Sequence, residues 1–131
     1  MWLNDIVRKN DDGYVAITTV LIVGAVLLTV GVALTVNSIN EAQSSLAEIK
    51  NEASLALVES CVQDGLLRIN KSNSLPTTIT LPQGMCDVTI NSHIGNAWTF
   101  SVSGVFGGFT KNVQVSANRT STIGVTNWQE M

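Results

Sequence analysis

The 131-residue chain contains few charged side chains, few aromatic ones and only two cysteines. Charged residues make up 13% of the sequence, about half of the ~25% that is typical of soluble domains. The formal net charge is -3, and the seven Lys and Arg residues are scattered along the chain. Because a nucleic-acid surface needs clustered basic residues, this pattern argues against direct binding of DNA or RNA.

Residues that could ligate a metal or catalyse a reaction are also scarce. The chain has one histidine, His93, and nothing beside it has the spacing of metal ligands. Asp87, His93 and a nearby serine could be written as a triad, but no motif positions a nucleophile or a base. We therefore expect no metal, no cofactor and no enzymatic activity, and we interpret His93 as part of a surface turn, Ser92–Asn96.

The apolar residues are concentrated in one block, residues 14–36, which contains no charged side chain. As a helix this block would be about 35 Å long, enough to cross the ~30 Å hydrocarbon core of a bilayer. Its small residues would permit close approach of a neighbouring helix. These predicted helix-packing residues are Gly24, Ala25, Gly31 and Ala33. The alternative is a cleaved secretory signal, whose apolar region usually has only about 7 to 15 residues.

The polar residues of this block are threonines, and we expect their hydroxyls to donate to carbonyls of the same helix. They are Thr18, Thr19, Thr29 and Thr35. The flanking charges predict the orientation of the span: Arg8 and Lys9 precede it, whereas the first basic residue after it is Lys50. Basic residues favour the cytoplasmic side. The sequence therefore predicts a single-pass protein of the inner membrane with its N-terminus inside.

Residues 37–72 predict an amphipathic extension of the same helix, because no helix breaker precedes Gly65. Apolar or small residues recur at a spacing of three and four and form two stripes. The first stripe comprises Ile39, Ala42, Leu46, Ile49, Ala53 and Ala56, and the second comprises Leu55, Val58, Val62, Leu66 and Ile69. The sequence Asn70–Pro76 is rich in turn residues and should end the helix.

Residues 73–131 alternate between apolar and polar side chains and predict an antiparallel β-meander of about four strands. A final run, Ile123–Trp128, is a candidate edge strand. The alternating apolar positions are Ile79 and Leu81, then Val88 and Ile90, then Trp98, Phe100 and Val102, and last Val113, Val115 and Ala117. A sheet of this size cannot bury its apolar face alone. The expected fold is therefore α+β, with the C-terminal part of the long helix (the upper helix) packed on the sheet.

The cysteines, Cys61 on the helix and Cys86 at a strand, allow two interpretations. In an exported chain an even number of cysteines indicates a disulfide. In the cytosol the same residues would be two buried thiols. Since the membrane block predicts export, we expect a Cys61–Cys86 bond, which the chain-entropy model values at about 3 to 4 kcal/mol.

The order of these segments resembles the type IV pilin and pseudopilin family. The resemblance is carried by Arg8 and Lys9 in a short leader, by Gly13-Tyr14 as a processing junction, and by the apolar helix that follows. It implies a cytoplasmic leader over residues 1–13, cleavage after Gly13 by prepilin peptidase, and N-methylation of Tyr14. It also implies sister subunits and a pilus assembly machinery as partners, in a homo- or hetero-oligomeric filament at the cell surface or in the periplasm.

Two short stretches, Leu57–Cys61 and Thr126–Glu130, are similar to minor pilin-like proteins of uncultured bacteria. The chain departs from the family pattern at three places. Thr18 stands where a glutamate is usual, Tyr14 stands where phenylalanine is commonest, and Asp11 and Asp12 precede the junction. Without the glutamate, a minor subunit is favoured over a major one.

The sequence thus predicts a structural filament subunit, inserted into the membrane as a precursor. The alternative is a single-pass, membrane-anchored protein whose outer domain binds a ligand or mediates adhesion. An exported enzyme is a third class, and no constellation of residues favours it.

Overall fold

The structure, a computed structural model, describes the backbone of residues 2–131 and the side chains of residues 13–131. The side chains of the predicted leader, including Arg8 and Lys9, lie outside the described residues. The elements are α1 (Trp2–Ser72), β1 (Thr78–Leu81), β2 (Gly84–Ile94), β3 (Ala97–Phe106), β4 (Phe109–Arg119) and β5 (Ile123–Glu130). The predicted α+β class, a long N-terminal helix and an antiparallel sheet, is confirmed.

The chain forms two compact units, Met1–Ser44 and Ser45–Met131. The described part of the first unit is helical throughout and contains the apolar block. Its β-branched residues would weaken a helix in water, but in lipid a helix is favoured because it pairs its own backbone groups. The second unit contains the rest of α1 and the whole sheet.

The C-terminal end of α1 is capped by hydrogen bonds from its own backbone and from the sheet. Asn73 adopts a positive φ of 50°, and its N–H donates to the Ile69 carbonyl at 3.0 Å, the pattern of a left-handed helix cap. The Arg119 guanidinium on β4 donates to the Asn70 carbonyl through Nε and Nη2, both at 3.3 Å. Carbonyls that lack a partner in the last helical turn are thus satisfied.

The sheet has the order β1-β2-β3-β4-β5 and every pair is antiparallel. Two-residue turns connect the central strands. Both residues of the β3–β4 turn, Gly107 and Gly108, have positive φ angles of 59° and 86°, as the twist of a tight hairpin requires. The candidate edge strand is present as β5 and extends to Glu130, so the sheet has five strands.

The core of the second unit lies between the second stripe of α1 and one face of the sheet. The predicted helix residues Val58, Val62 and Ile69 are fully buried. The alternating apolar residues of β3 and β4 are buried as well; they are Trp98, Phe100, Val102, Val113, Val115 and Ala117. Burial of this continuous apolar surface is the main term that stabilises the unit.

Two local predictions on β2 were wrong. Ile90, expected to be buried beside Val88, is 44% exposed, because β1 pairs only with Gly84–Asp87 and leaves the later part of β2 without a flanking strand. His93 lies within β2 and not in a turn, since the β2–β3 turn is only Gly95 and Asn96.

Candidate functional site

The apolar block of α1 is exposed along its whole length. Its large hydrophobic side chains range in exposure from 50% at Val36 to 72% at Tyr14. Within the described residues, Gly13–Ser72 is the one helix that is long and apolar enough to cross a membrane, and none of its most apolar stretch is buried inside the protein. A continuous apolar surface of this kind indicates contact with a membrane or with other apolar helices.

The threonines of the block leave no unpaired hydroxyl on this surface, as predicted. Each Oγ1 donates to a carbonyl three or four residues earlier in α1. The distances are 2.6 Å from Thr18 to Tyr14, 2.7 Å from Thr19 to Val15, 2.8 Å from Thr29 to Val26 and 2.9 Å from Thr35 to Gly31. The segment therefore presents only paired polar groups to its surroundings, which a hydrocarbon environment requires.

The predicted cleavage junction lies on an accessible part of α1. A side chain added at Gly13 would meet no atom within 4 Å, and Tyr14 is 72% exposed. Both residues lie inside the helix and not at its first turn. Glycine in a helix interior costs about 0.5 to 1 kcal/mol relative to alanine, so Gly13 weakens the helix at the junction. Cleavage after Gly13 and methylation of Tyr14 stay predictions.

The predicted packing residues do not share one face of the helix. At 100° per residue, Gly24 and Gly31 lie within about 20° of each other, whereas Ala25 is about 100° away from Gly24 and Ala33 is on the opposite side. Neither glycine has a neighbour within 4 Å of an added side chain. Gly31 forms the floor of a shallow groove of about 300 Å³ with Leu27, Leu28, Val32, Thr35 and Val36. A neighbouring helix could approach closely on that side, because Gly31 has no side chain.

The predicted disulfide is present. Cys61 on α1 and Cys86 on β2 are bonded, both are fully buried, and their Cα atoms are 6.4 Å apart, within the usual range for disulfides. Gly104 on β3 lies directly beside the bond: a side chain there would be 2.8 Å from Val58 Cγ2 and 3.4 Å from Cys86 Sγ. The disulfide and this close approach fix the upper helix to the middle of the sheet.

The second unit contains a feature that the sequence analysis missed. An open, mostly apolar groove of about 240 Å³ runs beside α1, and we call it the flank groove. It is lined by Ala53, Ala56, Leu57, Ser60, Gln83 and Phe106. Part of the first stripe of α1 forms its floor, while Gln83 from the β1–β2 turn and Phe106 from the end of β3 form its walls. The sequence signal for this groove was limited to the small residues Ala53 and Ala56 of the first stripe.

Side chains that could ligate a metal ion are not clustered in residues 13–131. No group of three or more His, Cys, Asp or Glu side chains there could hold a metal ion. His93 is exposed and stacks on the buried Trp98 ring, with the ring centroids 3.6 Å apart. Its Nε2 lies 3.1 Å from the Gly95 carbonyl. Both contacts are within the β2–β3 hairpin. The imidazole of His93 covers part of the Trp98 ring at the edge of the core.

A comparison with family models, curated proteins and solved structures finds no match to this chain. The interpretation therefore depends on two features: the exposed apolar helix of the first unit and the disulfide-linked sheet of the second.

Proposed function

We propose that this chain is a structural subunit, of the minor kind, of a type IV pilus-like or pseudopilus filament. In this proposal the precursor is inserted into the inner membrane with its N-terminus inside. Prepilin peptidase removes residues 1–13, Tyr14 is methylated, and the mature chain joins the filament through the assembly machinery. The observation that carries the proposal is the uncharged segment 14–36, whose large apolar side chains are all at least half exposed, on the helix that also forms part of the sheet domain.

The exposed segment explains why such a protein would need both a membrane and sister subunits. None of the most apolar stretch of the helix is covered by the protein itself, so lipid must cover it before assembly. In a filament, helices of other copies would replace the lipid. Because hydrocarbon tails are as apolar as the side chains, that exchange would depend on close packing at small residues. The groove around Gly31 offers one place for such packing.

The disulfide supports an extracytoplasmic position for the second unit. Bonds of this kind persist in oxidising compartments and are rare in the cytosol. The bond lies on the carboxyl side of the apolar block, and the basic leader residues precede the block. Both observations favour the same orientation.

Thr18 supports a minor rather than a major subunit. At this position the resemblance implies a carboxylate that would neutralise the new amine of a neighbouring subunit. Here the hydroxyl of Thr18 is already bonded to the Tyr14 carbonyl at 2.6 Å and carries no charge. Segment 14–36 of such a subunit would pack in a filament without an ion pair at this position.

Thr18 is also compatible with one alternative: a permanently anchored protein whose outer domain binds a ligand or mediates adhesion. Without a carboxylate in the block, segment 14–36 has nothing that is specific to a filament and serves equally well as a lipid anchor. Such a protein would keep Met1 and its leader, and it would stay in the membrane fraction when surface filaments are sheared from cells.

The two candidates are distinguished by Gly13→Val in the native host, with Gly24→Val as the matched control. Both glycines lie on open surface of α1, so the two substitutions have similar direct effects on the helix. If residues 1–13 are removed by a peptidase that requires glycine, only Gly13→Val should accumulate the larger precursor. Gly24 is a predicted packing residue, so Gly24→Val is a control for precursor size and not for filament formation. Equal sizes for wild type, Gly13→Val and Gly24→Val would contradict the proposal.

A further inference from the structure

The flank groove has the size of a site for one side chain. Its volume of about 240 Å³ is below the ~300 to 1,000 Å³ that small-molecule sites usually have. The floor consists of Ala53 and Ala56, which lie one turn apart on α1, and the wall includes Phe106, which is 40% exposed. A flat aromatic side chain would fit against these short residues and contact the ring of Phe106.

The aliphatic part of a lysine side chain, that of Lys50, lies beside Gly107, the residue that follows Phe106. The side chain of Lys50 packs along the β3–β4 turn, where a methyl group added at Gly107 would lie only 2.9 Å from Lys50 Cδ. Neither of the two ion pairs found among residues 13–131 includes Lys50. The groove therefore has a mostly apolar lining, and beside its Phe106 wall is a lysine that forms no ion pair among residues 13–131.

The opposite edge of the sheet has the complementary combination. Trp128 lies on β5 and is 41% exposed, although its partner on β4, Val115, is fully buried. Directly paired residues point to the same face, so Trp128 lies on the helix side of the sheet, beyond the cover of α1. Glu130 is two residues further along β5 and lies on the same face as Trp128. Its carboxylate is 45% exposed and is 2.6 Å from Lys111 Nζ.

We propose that Trp128 of one copy inserts into the flank groove of a second copy, with Glu130 accepting from Lys50 of that copy. The indole matches the apolar pocket, and the carboxylate two residues away matches the adjacent ammonium group. Glu130 can accept from Lys50 while keeping Lys111, because a carboxylate has two acceptor oxygens. This inference rests on the proposed filament function and names a contact between the sheet domains.

The Trp128 that fills the groove must belong to a second copy and not to the same chain. Gln83 in the groove wall belongs to the turn between β1 and β2, whereas Trp128 belongs to β5 at the other edge of the five-stranded sheet. A chain therefore cannot fill its own groove with its own Trp128. Contact between two different surfaces of identical chains is heterologous, and it propagates into a helical array when it does not close into a ring.

The experiment uses the full-length chain in the native host, with a photo-crosslinking amino acid in place of Ser60 in the groove. After illumination of intact cells, the dimeric product is digested and the adduct is located by mass spectrometry. We expect the adduct on the segment 123–131 of a second copy. Trp128→Ala should lower the crosslinked fraction about tenfold or more, as loss of a central aromatic anchor does.

Matched variants separate this contact from effects on folding. Ile94→Ala removes an apolar side chain that is 77% exposed at a hairpin end, and it should leave the crosslinked fraction unchanged. Lys50→Glu and Glu130→Lys should each lower the crosslinked fraction, and the double variant should restore it. A merely destabilised sheet would not be restored by a second charge change.

The outcomes separate this inference from the proposed function. Normal leader removal and normal filaments, together with an adduct elsewhere or no effect of Trp128→Ala, would overturn the contact and leave the filament proposal standing. An intact Met1 without filaments would instead contradict the proposed function. In that case a 123–131 adduct, lost in Trp128→Ala, would still support the contact between membrane-anchored copies.

Discussion

Removal of the Cys61–Cys86 bond should destabilise the second unit by an amount that can be worked out from the structure. The two cysteines are 25 residues apart, and the chain-entropy model assigns about 3.5 kcal/mol to a loop of that length. Both sulfur atoms are fully buried. In the double variant Cys61→Ala/Cys86→Ala, each lost sulfur resembles a deleted methyl group and adds about 0.5 to 1.5 kcal/mol.

The assay is thermal unfolding of the full-length chain in detergent, followed by near-ultraviolet circular dichroism, which reports on the packing around Trp98. For a unit of this size, 1 kcal/mol corresponds to roughly 4 to 8 °C. The Tm should therefore fall by at least about 15 °C in the double variant. Wild-type protein reduced after unfolding keeps both sulfur atoms but lacks the bond, and its Tm should lie between those of the other two samples.

The order of these three Tm values is the decisive result. If the reduced protein and the double variant both unfold within about 5 °C of the oxidised protein, the bond does not hold the helix on the sheet. The packing of Val58 and its neighbours would then have to account for the attachment. A large loss in the variant but none in the reduced protein would assign the effect to packing of the sulfur atoms and contradict the entropic explanation.

Three further substitutions test other parts of the structure. Gly104→Val would place a side chain 2.8 Å from Val58 Cγ2 and should cost about 1 to 3 kcal/mol, measured by urea unfolding; an unchanged midpoint would show that the helix can move away. Arg119→Met removes both donors to the Asn70 carbonyl and should cost about 1 kcal/mol, read as faster hydrogen exchange at the end of α1. Leu28→Arg should weaken membrane insertion by about 3 kcal/mol, so more protein should be released by alkaline extraction, and equal retention would contradict a membrane-spanning role.

Much of the fold follows from two periodicities in the sequence. The alternation of Trp98, Phe100 and Val102 predicted one buried face of β3, and all three residues are buried. The second stripe of α1 predicted the helix face that covers the sheet. These elements are long and strongly patterned, so local pattern and tertiary packing favour the same structure.

Where pattern alone failed, the deciding factor was a neighbouring strand or the three-dimensional arrangement. Ile90 continues the alternation of β2, but its burial depends on β1, which is only four residues long. No pattern in residues 78–81 reveals that β1 begins opposite Asp87. His93 was assigned to the turn Ser92–Asn96, but it pairs with Trp98 on the next strand and so belongs to β2.

At the candidate sites, too, some features could be predicted from the sequence and others could not. The disulfide and the threonine hydrogen bonds could be predicted because they depend on compartment and on helix geometry. The flank groove could not be predicted, because Ala53 and Ala56 on α1 meet Gln83 and Phe106 only after the sheet has folded onto the helix.

The measurement that tests the central claim most directly is the mass of the N-terminal peptide of the mature protein, purified from its native host. The account predicts a chain that begins at Tyr14, with one methyl group on the new amine, in material recovered from sheared surface filaments or an envelope fraction. A mature protein that still begins at Met1 and is found only in membranes would contradict it.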